Sequence, residues 1–161
     1  MGEMIRLNIG CGKTDNKNYI GIDACEYPHV KYHDVKCLPY DSGVVSIIYC
    51  SHLISYFDRD EIIPILKEWN RVLKHGGLLV VSVPDWDVLK TLPRPLLGPL
   101  YGKMGDPSIY HKTVYNYDEL FQVLRLAGFI HIERTLNSLE DQSKATYDGQ
   151  LISLTVNAIK P

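Results

Sequence analysis

Five short runs of apolar and β-branched residues, at 5–9, 19–23, 30–33, 45–50 and 78–83, are each bounded by Gly, Pro, Asp or Asn. Runs of this kind suit strands buried on both faces. Nine residues separate the first run from the second, and six separate the second from the third. A parallel crossover normally takes about a dozen residues, most of them helical. The spacing therefore calls for parallel strands and leaves no room for two of the helices that should join them.

Helices fit further on. Residues 60–74 carry Ile62, Leu66, Trp69 and Leu73 at helical spacing, a capping box of Asp58 with Glu61, an early Pro64, and Gly76-Gly77 as a stop. Residues 116–127 repeat the pattern, with Asn116 and Glu119 at the start and Gly128 at the end. Runs 129–136 and 151–160, joined by mostly polar residues, read as a closing antiparallel pair. The expected fold is α/β: a Rossmann-like, doubly wound, mostly parallel sheet of about seven strands, with an antiparallel C-terminal strand and reduced helices on one face. One domain is expected over 1–161, with a lid over 85–115, a stretch rich in proline and glycine.

Hydrophobic residues at 45% and charged residues at 22% are globular values, and the net charge of −2 comes without a basic run. Nucleic acid is therefore not an expected partner. No apolar run reaches the roughly 18 residues that span a bilayer, so no membrane is expected either. The N-terminus shows no signal-peptide core, and Arg6 stands where myristoylation wants Ser or Thr, which makes the cytoplasm the expected location. Cys11, Cys25, Cys37 and Cys50 contain no C-x-x-C pair, and the six histidines form no H-E-x-x-H pattern. No metal site is expected.

The chemistry begins at Asn8-Ile9-Gly10-Cys11-Gly12, a strand running into a G-x-G turn where a backbone can approach a nucleotide closely. Gly12-Lys13-Thr14 imitates the end of a phosphate-binding loop, but Leu7 stands where that motif needs its first glycine. A dinucleotide fingerprint needs a third glycine where Asp15 stands. A third reading covers more residues. Asp23, with Ala24, follows the second strand, where an acid can accept from a ribose diol. Asp34 and Val35 follow the third, a carboxylate and a backbone N–H suited to an adenine edge. Taken alone, either aspartate also fits a turn.

LNIGCG, YIGID, HDVKCLPYDSG, SIIYCSHLISYF, EWNRVLKHGGLLVVSVPD, LYGKMGDPSIYH and DELFQVLRLAGF together resemble the class I S-adenosylmethionine-dependent methyltransferases, nearest to a small bacterial branch of them. The resemblance implies S-adenosylmethionine as cofactor and S-adenosylhomocysteine as product. It implies that Asn8, Gly10, Cys11 and Gly12 face the methionine part, Asp23 and Ala24 the ribose, Asp34 and Val35 the adenine, and Tyr49, Cys50 and Ser51 the sulfonium. It also implies transfer to oxygen or nitrogen of a small-molecule acceptor, by analogy a sugar or glycan precursor. His52 is the candidate general base, and His111 the second candidate for contact with the acceptor. The chain departs from the pattern with Asn8 for an acid, Thr14 for a third glycine, Ser46 for an aspartate, and Ser55 and Tyr56 for a Glu and a His. Those departures keep a second class open, a cofactor-binding or degenerate domain acting as an interaction or regulatory subunit. A nicotinamide-dependent enzyme is the third. In the family fold, three helices for which little sequence is present cover one face of the sheet. A homodimer, or another subunit, is expected to cover it here.

Overall fold

The structure, a computed structural model, describes residues 4–92, 97–102, 110–136 and 142–161. Seven strands form one sheet: β1 (Ile5–Ile9), β2 (Ile20–Ile22), β3 (Val30–Tyr32), β4 (Val45–Ser51), β5 (Leu73–Pro84), β6 (Ile130–Arg134) and β9 (Ser153–Ile159), in the order β3-β2-β1-β4-β5-β9-β6. β1 to β5 run parallel, and β9 pairs antiparallel with both β5 and β6. This is the expected doubly wound sheet. The order reverses at β1, and open α/β sheets bind ligands beyond the strand ends at such a point.

Helix α1 (Arg59–Val72) links β4 to β5, and α4 (Tyr117–Leu126) precedes β6. Both begin with the capping boxes read from the sequence. Both pack on one face of the sheet, where Ile62, Ile65, Leu66, Trp69, Leu120 and Leu124 close over Leu7, Ile48, Leu79, Val81 and Val156. Pro64 removes one backbone bond, and the helix continues through it. The glycine pair does not end α1, however. The helix stops at Val72 because Leu73, fully buried, is already extended and belongs to β5. Gly76, at φ 70°, then lies between Leu73 and Leu78, where the register of β5 against β4 shifts.

Neither the β1–β2 nor the β2–β3 connection contains a helix. Strands β2 and β3 have three residues each, so the chain has only about 10 Å to climb back, within reach of a short extended loop. On the face away from α1, the pairing register sets three rows across the sheet. Ile47, Leu78 and Ile159 form a half-buried aliphatic row, next to Asn8, Tyr49, Val80 and Asn157, and then Ser51, Ser82 and Thr155. That face is less apolar than its missing helices suggest. Ser82 and Thr155 are buried and share a hydrogen bond of 3.0 Å, while Tyr49 donates to Ser143 at 2.9 Å. Ser143 lies in a 3-10 turn at Gln142–Lys144, which leads into a ribbon of β7 (Thr146–Tyr147) and β8 (Gln150–Leu151). The run expected over 151–160 is thereby shortened: Leu151 pairs within the ribbon, and the sheet strand begins at Ser153.

Within 85–115, α2 (Trp86–Leu89), capped by Asp85, and α3 (Leu97–Tyr101) are formed. Residues 93–96 and 103–109 of that stretch, and so most of LYGKMGDPSIYH, lie outside the described residues, as do 137–141 of the link before β9. No helix among the described residues is long and apolar enough to cross a membrane.

Candidate functional site

A cleft of about 620 Å³ opens at the C-terminal ends of β1, β2 and β4. Gly10, Cys11 and Gly12 form one wall, Asp23 and Ala24 the next, then Val35 and Lys36, and Ser51 through Leu53 with Tyr56 through Asp58 close it. The turn after β1 is tight. Gly10 and Gly12 stand at φ 73° and 53°, and a Cβ on Gly10 would lie 2.8 Å from that of Leu53. Only glycine meets both demands at Gly10.

The Asp23 carboxylate is fixed by two backbone groups. The Gly12 N–H donates to Oδ2 at 2.7 Å and the Cys25 N–H to Oδ1 at 2.9 Å. Each oxygen keeps a lone pair for a further donor. Asp34 is used differently. Its Oδ1 accepts from the N–H groups of Lys36 and Cys37, a local turn, and the residue does not line the cleft. Val35 does line it, with its carbonyl accepting from the Trp69 indole N–H at 2.9 Å.

Asn8, Tyr49 and Cys50 stay out of the cleft. Strand alternation turns Cys50 into the core beneath α1 and Tyr49 to the opposite face, edge-on to Tyr19. Asn8 is buried beside Tyr49 in the same row. Ser51 reaches the cleft, and its buried Oγ has no hydrogen-bond partner. Burial and the charge of Asp23 push the Cys11 thiol up to about 11, so it is a thiol, not a thiolate.

His52 lines the cleft at φ 57°, outside the range most side chains tolerate. Its N–H donates to Ser82 O at 2.8 Å, and Nε2 lies 3.0 Å from Ser153 Oγ. A left-handed non-glycine residue held from two strands is a place where a fold stores strain. His111 is not beside it. Its Nδ1 lies 3.1 and 3.2 Å from the carbonyls of Pro99 and Leu100, so Nδ1 carries the proton and Nε2 is the acceptor. Burial lowers the pKa of this imidazole against the pull of those carbonyls. The ring lines a separate cavity of about 600 Å³ and packs on Tyr56, which itself faces the first cleft.

Sequence reasoning missed the rim. Lys36 pairs with Glu61, and Lys112 with Asp58 at 2.9 Å, all four on the cleft wall. The hydrogen bond from Lys36 holds the Glu61 carboxyl below its ordinary value. Asp58 and Glu61 were legible only as a capping box, although a helix that starts just beyond the end of β4 also turns its first residues to the cleft. Tyr56 is a second omission, with its hydroxyl pKa raised by burial and by Asp23. Among the described residues no group of three His, Cys, Asp or Glu side chains is placed to hold a metal.

A methyltransferase-domain family model matches residues 7–81. No curated protein sequence matches the chain significantly. Among solved structures, an S-adenosylmethionine-dependent methyltransferase from Archaeoglobus fulgidus aligns at a TM-score of 0.69 and 17% identity, over 99% of this chain and 87% of its own. One from Methanosarcina mazei aligns at 0.65 and 19%, over 99% and 94%. One from Thermotoga maritima aligns at 0.60 and 21%, over 100% and 84%. At such identities the likeness is one of fold.

Proposed function

We propose, on the premise that this chain has the class I S-adenosylmethionine-dependent methyltransferase fold, that its cleft binds S-adenosylmethionine and that the protein methylates oxygen or nitrogen of a small molecule. One observation carries the reading: a carboxylate at the end of β2, fixed by the N–H of the glycine turn, opens into a cleft large enough for a nucleoside. The residues present fit the cofactor. Asp23 has lone pairs left for two ribose hydroxyls, and Ser51 Oγ is a buried hydroxyl lacking a partner. Gly12, on the cleft wall, has open space where a Cβ would stand, which leaves the backbone bare for a methionine chain to lie against it.

When bound, S-adenosylmethionine supplies a sulfonium methyl whose carbon–sulfur bond breaks as the acceptor's lone pair forms the new bond, leaving S-adenosylhomocysteine. The protein's part is alignment and exclusion of water. His52, on the cleft wall, is the base proposed to take the acceptor's proton; His111, behind Tyr56, is not placed for it. A polyhydroxylated acceptor, a sugar or glycan precursor, is supported by the rim, where Asp58 and Glu61 offer acceptors, Lys36 and Lys112 offer donors, and Tyr56 and Phe57 offer flat apolar faces. Stretch 85–115 is the proposed lid: Lys112 lies on the cleft wall, and the N–H groups of Lys112 and Thr113 donate to Ser55 O just beyond β4.

Calorimetry with S-adenosylmethionine and S-adenosylhomocysteine tests the reading. Both should bind with micromolar affinity; a folded sample that binds neither refutes it. Binding without turnover across a broad acceptor panel would favour the regulatory-subunit reading, for which the loss of Glu and His at Ser55 and Tyr56 speaks. Ser55 is fully buried with its hydroxyl unpartnered, so it offers the cleft no acid.

A second copy of the chain is proposed to cover the face away from α1 and α4. The support is the half-buried aliphatic row of Ile47, Leu78 and Ile159. Light scattering should give a dimer at micromolar concentration; a monomer there would remove this part of the proposal.

A further inference from the structure

The glycine turn after β1 has no helix behind it. Gly10 and Cys11 donate their N–H groups to Ile22 O, and Thr14 donates to Cys11 O. From Lys13 to Asp15 the chain is exposed, and among the described residues no backbone group bonds the N–H or C=O of Gly12 itself. Two side chains do so instead. Asp23 Oδ2 accepts from the Gly12 N–H at 2.7 Å, and His29 Nε2 lies 3.0 Å from the Gly12 carbonyl oxygen. A carbonyl oxygen only accepts, so Nε2 carries the proton and donates.

We propose that His29 is a positioning residue for the cofactor turn: with Asp23 it grips Gly12 at its N–H and its C=O, in place of the helix that the β1–β2 connection lacks. The proposal rests on the cleft being the cofactor site.

Three further features converge on the grip. The His29 ring is stacked parallel to Tyr27, with centroids 5.8 Å apart and planes within 10°, which fixes its direction. Cys11 Sγ lies 3.8 Å from the same Nε2, a second contact at the nitrogen that meets Gly12. Gly21, on β2, makes the approach sterically available: a Cβ there would lie 3.0 Å from Cys11 Sγ and 3.3 Å from His29 O. The backbone at Gly12 is left-handed, at φ 53°, a conformation that a solvated turn would leave readily without two side chains holding it. Preorganising a binding loop raises affinity by lowering the ordering cost at the moment of binding.

The test compares wild type, His29→Ala and His29→Gln for S-adenosylhomocysteine affinity by calorimetry, and for amide hydrogen exchange at Gly12 and Thr14 without ligand. His29→Ala should weaken binding about tenfold and speed exchange at Gly12 by a similar factor, while amides in β1 and β4 stay protected. His29→Gln, which retains an N–H donor at comparable reach, should recover most of both. A His29→Ala protein that is folded and binds within about twofold of wild type overturns the proposal, as does a His29→Gln protein no better than the alanine variant. Wild-type protein that fails to bind S-adenosylhomocysteine removes the methyltransferase reading and this proposal together, so the two failures are told apart.

Discussion

Replacing Asp23 by alanine should reduce S-adenosylhomocysteine affinity by on the order of a hundredfold or more, the largest loss expected from any single side chain in the cleft. The carboxylate does two things at once. It accepts from the Gly12 and Cys25 N–H groups, which joins the glycine turn to the end of β2. In the proposed complex its remaining lone pairs also accept from two ribose hydroxyls. Hydrogen bonds to a charged acceptor contribute about 1.5–3 kcal/mol each, so losing the ribose pair alone accounts for the predicted factor. Asn is not a conservative replacement here. Both oxygens accept from an N–H, and an amide must present its NH2 to one of those donors. Asp23→Asn should therefore bind nearly as poorly as Asp23→Ala, although it is closest in shape. Calorimetry on both variants decides the matter, and affinity for either one within threefold of wild type would show that the ribose lies elsewhere.

Asp23 and Asp34 also show how far the sequence could be read. Each follows a short strand, and each was open to two readings, turn or ligand, because the local hydrogen bonds of an aspartate look the same in both. Both accept from the N–H two residues on, and they differ in what else the carboxylate reaches. Asp34 spends Oδ1 on two successive N–H groups of its own turn, whereas Asp23 reaches back to a residue on the neighbouring strand's turn. The helices were legible for a different reason. Periodicity and capping boxes are written within a few residues, so α1 and α4 follow directly from the sequence. The helix-free crossovers after β1 and β2 were legible too, because nine and six residues leave no room for a helix. The rim was not legible. Its pairs join Lys36 to Glu61 and Lys112 to Asp58, 25 and 54 residues apart, and no local pattern marks a partner at that distance. Tyr49 and Cys50 were assigned with Ser51 as one block, yet strand alternation sends them to opposite faces and brings only Ser51 to the cleft.

The second large effect concerns Trp69, which does not itself line the cleft. It is the largest fully buried side chain, wedged between α1 and the sheet. Truncation to alanine should cost about 3–5 kcal/mol, the range for a buried aromatic whose surroundings cannot collapse into the gap. A domain's entire stability is commonly about 5–15 kcal/mol, so Trp69→Ala should be partly unfolded or strongly shifted in a urea titration. The indole has a second duty. Its N–H donates to the Val35 carbonyl, and Val35 is the cleft residue proposed to meet the adenine ring. Trp69→Phe keeps most of the packing and removes that donor. It should cost less than alanine, about 1–3 kcal/mol, because a buried carbonyl is left unpaired. It should also weaken S-adenosylhomocysteine binding by letting the Val35 peptide swing, whereas a substitution acting on packing alone would lower the urea midpoint and leave affinity unchanged. A Trp69→Phe protein with reduced stability and wild-type affinity would confine the residue to the core; a Trp69→Ala protein unfolding at the wild-type midpoint would contradict its place there.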